Sequence, residues 1–266
     1  MKKILADDPA GVVVIVHGAF EHAGRYDEIA SLLRQQGFHV VYGDLPGQGK
    51  STRRRGHIDR FDQYIEAVTA WLDEAAKFQL PVFLLGHSMG GLITIRTLQE
   101  KRPDVKGVIL SSPGLGILDE PTKSVKLVSR VLDAVYPKYK VEAPILKEKV
   151  TRNKSVIASD EADSLMLETV SVRWYWEFVR SINHAFKKIN DYPDVPTLVV
   201  QAGEDLMVDI KETKKWFNQL DISEKSYKEW ANLYHEILNE PERDSVVRHI
   251  VDFMKQKVEQ SAHEEE

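Results

Sequence analysis

Short apolar runs rich in β-branched residues recur along this chain. They alternate with longer stretches whose apolar positions return every three or four residues. The runs Val12–Val16, His39–Tyr42, Val82–Leu85, Lys106–Leu110, Thr197–Gln201 and Lys225–Trp230 predict strands. The near-continuous apolarity of the first five points to a parallel sheet buried on both faces. Tyr26–Gln35, Phe61–Phe78, Leu92–Lys101, Lys211–Leu220 and Pro241–Val258 carry helical spacing, and several end at Gly or Pro. This alternation predicts an α/β fold built on a doubly wound, mostly parallel sheet.

The alternation fails between Ser112 and Asp194, a stretch far longer than an ordinary strand-to-helix connection. Val125, Val128, Leu132 and Val135 recur there at helical spacing, and 165–189 forms a second helical stretch containing Trp174, Tyr175, Trp176 and Phe178. The pattern therefore predicts a first part of the core at 1–113, a helical cap at 114–192, a second part of the core at 193–258 and an acidic flexible tail at 259–266.

With 42% hydrophobic and 29% charged residues, the chain fits neither a disordered protein nor an integral membrane protein. The net charge of −5 offers no broad attraction to nucleic acid. With no cysteine there is no disulfide, thiolate metal site or cysteine nucleophile. The apolar stretch after Lys2-Lys3 ends within a few residues, and the run Val12–Val16 is far below the roughly 20 residues that span a bilayer. The expectation is a cytoplasmic enzyme.

After the strand Val82–Leu85 comes Gly86-His87-Ser88-Met89-Gly90-Gly91, followed by a helix. Gly-x-Ser-x-Gly between strand and helix is the nucleophile elbow, in which glycines two residues either side leave room for a strained turn that lifts the serine hydroxyl above the sheet. The Met89 N–H and the positive end of the helix dipole then face any negative charge developing beside Ser88. A second oxyanion donor belongs to the loop after the first strand, His17-Gly18-Ala19-Phe20, with Ala19 as the choice and Phe20 as the alternative. His17 and His22 read as loop braces.

Of nine histidines, chain order decides the base, because the acid and then the histidine follow the serine in this fold. His249 falls in the last helix and His263 in the tail, leaving His235 after the final strand. For the acid, Asp205 follows the carboxyl end of strand Thr197–Gln201, where active-site groups gather in open parallel sheets. Glu204 is the alternative, and Asp209 reads as a helix N-cap. Gly47-Gln48-Gly49-Lys50-Ser51-Thr52 imitates the end of a phosphate-binding loop, but Asp44 stands where that motif needs glycine. Arg53, Arg54 and Arg55 read as a solvated loop able to attract a phosphate head group.

These residues resemble the monoacylglycerol lipase and lysophospholipase branch of the α/β-hydrolases, particularly its bacterial phospholipase-like members. The resemblance rests on His17-Gly18-Ala19, Asp44-Leu45-Pro46-Gly47-Gln48-Gly49, the Gly86–Gly91 elbow, Thr151-Arg152-Asn153, Ser171-Val172-Arg173-Trp174, Gly203-Glu204-Asp205 and Tyr234-His235-Glu236. It covers nearly the whole chain. It implies the α/β-hydrolase fold with the cap inserted after the sixth core strand, hydrolysis of fatty-acyl esters of glycerol, an apolar acyl tunnel, and no metal or organic cofactor. Phe20, Trp174 and Trp176 become candidate substrate contacts, although an aromatic stripe on a helix equally fits plain core. Two departures stand out: the segment before Val12 is too short for the usual first antiparallel strands, and Phe20 replaces a glycine common in relatives.

The leading expectation is thus a monoacylglycerol lipase or lysophospholipase. Lys123, Lys126 and Arg130 on one cap helix would permit transient contact with anionic lipid at the inner face of the membrane. A short-chain carboxylesterase or thioesterase on the same triad, and a non-catalytic ligand receptor, are the competing readings.

Overall fold

The computed structural model describes residues 1–118, 121–143 and 147–264, with only the backbone given at 261–264. In chain order the elements are β1 (Lys2–Ile4), β2 (Gly11–Val16), α1 (Asp27–Gln35), β3 (Phe38–Tyr42), α2 (Asp62–Ala76), β4 (Val82–His87), α3 (Met89–Lys101) and β5 (Gly107–Ser111). There follow α4 (Lys123–Val135), β6 (Lys140–Glu142), α5 (Lys147–Val150), α6 (Lys154–Ala162), β7 (Thr169–Ser171) and α7 (Val172–Lys187). The chain closes with β8 (Thr197–Ala202), α8 (Ile210–Gln219), β9 (Lys225–Trp230) and α9 (Arg243–Glu264).

Seven strands form one sheet in the order β1-β3-β2-β4-β5-β8-β9. All neighbours pair in parallel except β1, which runs antiparallel to β3 with Lys3 opposite Val41. The α/β fold follows from the burial of both faces. Val12, Val14 and Val16 point into a cluster with α2, α3, α7 and α8, while Val13 and Ile15 point into one with α1 and α9. Side-chain alternation thus sends one strand into two separate cores. The short segment before β2 still provides one antiparallel edge strand of three residues. With a single such strand ahead of the parallel ones, the cap leaves after β5, fifth in this chain.

Between β5 and β8 the first predicted helical stretch is α4, the second is helical only from Val172 as α7, and the named stretches missed α5, α6 and two short strands. The strands β6 and β7 pair antiparallel, Val141 opposite Val170, in a separate two-stranded sheet. Three residues each are too few to show an alternation. In helix α4 the apolar stripe seen in the sequence lies largely outward: Val125 is 54% exposed, Val128 65% and Val135 73%, while Leu132 is half-buried. The polar side packs instead, with Asp133 taking Arg173 of α7 and Arg130 lying 4.8 Å over the Trp176 ring. Of the acidic tail, the backbone of 259–264 continues α9, and Glu265 and Glu266 lie outside the described residues.

Candidate active site

Strand β4 delivers Ser88 at the start of α3 with φ 52° and ψ −119°, a conformation rarely taken by a residue with a side chain. The flanking glycines make the turn possible. A methyl group on Gly90 would lie 2.1 Å from the Val16 carbonyl oxygen, and one on Gly86 would lie 2.4 Å from that of Gly90. The elbow is therefore wedged between β2 and its own helix. Ser88 N–H donates to Ser111 O at 2.9 Å and Ser88 O accepts from Gly114 N–H at 2.8 Å, which ties the turn to β5 and the chain beyond it.

Ser88 Oγ lies 2.9 Å from His235 Nε2, and His235 Nδ1 lies 2.8 Å from Asp205 Oδ2. The ionised carboxylate only accepts, so the imidazole carries its proton on Nδ1 and presents a bare Nε2 to the hydroxyl. Asp205 is itself fixed: Oδ1 accepts from the N–H groups of Met207 and Val208, each at 2.9 Å, and Oδ2 accepts from Gln201 Nε2 at 3.0 Å. Glu204, one residue earlier, is exposed, and Asp209 caps α8 by accepting from Lys211 N–H. Burial disfavours the charged His235 ring, but the Asp205 charge and hydrogen bond outweigh it and raise its pKa above the usual 6.5. Burial also pushes the Asp205 carboxyl up, and His235 with the two backbone donors brings it below the usual carboxylate value.

Beside Ser88 lie the two loops expected to supply oxyanion donors. Met89 opens α3, and Ala19 and Phe20 line the same cavity as Ser88. Among the described residues, the backbone N–H groups of Ala19, Phe20 and Met89 meet no protein acceptor. His17 and His22 brace this region: His17 Nε2 accepts from Leu45 N–H at 2.9 Å, and His22 accepts from Gly24 N–H at 3.1 Å. His87 packs against His235 with ring centres 4.9 Å apart, and burial followed by that neighbour pushes its pKa down to about 4, so it stays neutral.

The cavity holds about 910 Å³ and runs from Ser88 and His235 under the cap. Its walls are mostly apolar, including Phe20, Met166, Leu167, Trp174 and Phe178. Trp174 meets Phe20 edge-on at 5.3 Å, stacks on Phe178 at 5.6 Å and satisfies its indole N–H on Tyr64 Oη at 2.8 Å. Trp176 sits elsewhere, on the side of α7 that faces α4 and outside the cavity wall, because two residues along a helix turn a side chain by about 200°. Among the described residues, no three His, Asp or Glu side chains gather as a metal site.

Sequence reasoning missed a buried charge cluster under the triad. Arg25, its side chain 6% exposed, meets Glu21, Asp160 of α6 and Glu236 at 2.5–2.7 Å. Glu21 also accepts from Gly18 N–H and Tyr26 Oη. Burial would raise the Glu236 carboxyl, and the Arg25 guanidinium overrides it and holds it down at about 2. Arg55, read as a solvated cation, instead donates to the carbonyls of Gly49, Ser164, Leu165 and Met166. Arg53 and Arg54 are exposed, and no helix starts at Lys50.

Known proteins resemble this chain over most of its length. Residues 7–242 match the family described as serine aminopeptidase, S33. The chain is 48% identical over 244 residues to phospholipase YtpA of Bacillus subtilis, covering 91% of this chain and 94% of that one. It is 30% identical over 246 residues to the human monoglyceride lipase, covering 91% and 80%. The crystal structure of the Paleococcus ferrophilus monoacylglycerol lipase superposes with a TM-score of 0.86 at 27% identity, covering 96% of this chain and 98% of that one.

Proposed function

This chain belongs to the serine aminopeptidase S33 family of hydrolases, and on that premise we propose that it is a lipid carboxylic-ester hydrolase working through an acyl-enzyme on Ser88. The observation that carries the reading is the Ser88–His235–Asp205 chain of contacts, 2.9 and 2.8 Å long, opening into an apolar cavity of about 910 Å³. Its relatives bear the names phospholipase and monoglyceride lipase, and a fatty-acyl ester of glycerol is the substrate that suits such walls.

In this mechanism His235 Nε2 takes the hydroxyl proton as Ser88 Oγ attacks the ester carbonyl carbon. The negative oxygen of the tetrahedral intermediate faces the N–H groups of Ala19 and Met89 at the positive end of α3. Collapse breaks the bond to the glycerol oxygen, which leaves with the proton held by His235. Water then attacks the acyl-serine by the same route and releases the fatty acid. Asp205 keeps the imidazole in one tautomer and stabilises its charged form.

Substrate reaches such a site from a lipid surface, and the outward apolar face of α4 is the part of the cap suited to meet it. Leu127, Val128 and Val131, each at least 60% exposed, lie beside Lys123 on that helix. No helix among the described residues is long and apolar enough to cross a membrane.

The test is a rate series on long-chain monoacylglycerol, lysophospholipid and short-chain p-nitrophenyl ester, with wild type beside Ser88→Ala. Turnover of the long-chain esters that vanishes in the variant supports the reading and ranks the head groups. Cleavage of the short ester alone would replace it with a short-chain carboxylesterase, and no cleavage with a ligand receptor.

A further inference from the structure

The cap touches the oxyanion loop through Asp163–Leu167, a stretch that follows α6 and contributes to the cavity wall. Asp163 Oδ2 accepts from His22 Nε2 at 2.7 Å, and Leu167 N–H donates to Phe20 O at 2.8 Å. The other Asp163 oxygen accepts from Leu165 N–H at 2.8 Å, so one carboxylate joins the cap stretch to the loop. The direction of the His22 bond is fixed, because Nδ1 accepts from Gly24 N–H and the proton must sit on Nε2. The ring folds so closely over Gly24 that a methyl group there would lie 2.8 Å from His22 Cε1.

Phe20, whose carbonyl accepts the second of these bonds, stands at φ 68°, a left-handed conformation that a bulky residue keeps only when its surroundings hold it. From the core side the loop is held by Glu21 on Gly18 N–H and by Asp44 on Ala23 N–H. The peptide groups of Ala19 and Phe20 lie between the core anchors and the cap anchors. Their direction depends on both.

We propose that Asp163 is a positioning residue for the oxyanion hole, so that the cap sets the reactivity of Ser88 as well as covering the acyl chain. The inference rests on the reading of Ser88 as nucleophile with Ala19 and Met89 as donors. Its consequence is that an ester too short to fill the cavity still depends on a cap residue.

The experiment measures kcat and KM for p-nitrophenyl butyrate, and inhibition by butylboronic acid, in wild type, Asp163→Ala, Asp163→Asn and Ser88→Ala. The boronic acid adds the Ser88 oxygen to boron and places a tetrahedral oxyanion where the intermediate's would be. Misaimed donors predict a fall of roughly tenfold in kcat for Asp163→Ala, with KM held within about twofold and boronate affinity falling in step with kcat. Asp163→Asn, which keeps one acceptor oxygen, recovers part of both. Unchanged kcat and boronate affinity in Asp163→Ala, with only thermal stability or long-chain KM altered, would overturn the inference. If that variant does not fold, Asp163→Asn decides by the same comparison. Activity surviving in Ser88→Ala would sink the nucleophile reading itself, whereas a dead Ser88→Ala beside a fully active Asp163→Ala sinks only this inference.

Discussion

Ser88 occupies a backbone conformation that costs on the order of 1–3 kcal/mol and is kept because glycine stands at 86 and 90. Gly90→Ala would drive a methyl group into the Val16 carbonyl oxygen, and backbone on both sides leaves no flexible group to yield. The expected result is a folded protein destabilised by roughly 1–3 kcal/mol, with labelling of Ser88 by a fluorophosphonate much slowed. A thermal melt and a labelling time course check both. The proton chemistry gives a second expectation. Catalysis needs neutral His235, and Asp205 raises its pKa above the usual 6.5, so kcat/KM falls as pH drops through a value above that. Asp205→Asn removes the charge that raises it, so the acidic limb moves to lower pH while kcat drops roughly 10³- to 10⁴-fold. A pH profile with an unmoved limb would contradict this role for Asp205. Ser88, Asp205 and His235 were legible in the sequence because strand ends and chain order leave few choices. Arg25 with Glu21, Asp160 and Glu236 was not, since its contacts cross up to 211 positions and no local pattern marks them.

Among the elements, the six strands read from the sequence were legible to within two residues, five of them because apolar runs mark a doubly buried sheet, whereas β1, β6 and β7, three residues each, left no such run. Helix α4 was legible as a helix, but the direction its apolar face takes was not. Periodicity reports that one face is apolar and leaves open which face meets the protein. Here Asp133 and Arg130 bind α7, and the valines face outward. A membrane-facing role predicts that Leu127→Ser with Val128→Ser and Val131→Ser weakens binding to anionic vesicles in a flotation assay, and slows hydrolysis of vesicle-borne substrate. Turnover of a soluble short ester is expected to stay at the wild-type rate. Equal vesicle binding by the triple variant would rule α4 out as the contact.

Over the whole molecule, the cap is joined to the core at points that polar side chains supply. Asp160 reaches Arg25, Arg55 reaches the carbonyls of 164–166, and the fully buried Glu240 takes Thr151 Oγ1 and Arg152 from the cap while accepting Tyr234 N–H beside His235. The Thr151-Arg152-Asn153 and Tyr234-His235-Glu236 motifs thus meet in space through Glu240. Arg25→Met would leave three carboxylates together in a buried site, and loss of one partner from such a cluster costs about 3–5 kcal/mol. Urea unfolding of the variant against wild type measures it, and a difference under about 1 kcal/mol would mean that the cluster is far wetter than its burial indicates.

That Ser88 takes the acyl group of a glycerol ester follows directly from the proposed mechanism. It is tested most directly by mixing the enzyme with a long-chain monoacylglycerol, quenching in acid before the first turnover is complete, and mapping the adduct by mass spectrometry. The expected result is one fatty-acyl group on the peptide that contains Ser88 and none in Ser88→Ala. An acyl group on another residue, or fatty acid released with no adduct and undiminished in the variant, would contradict it.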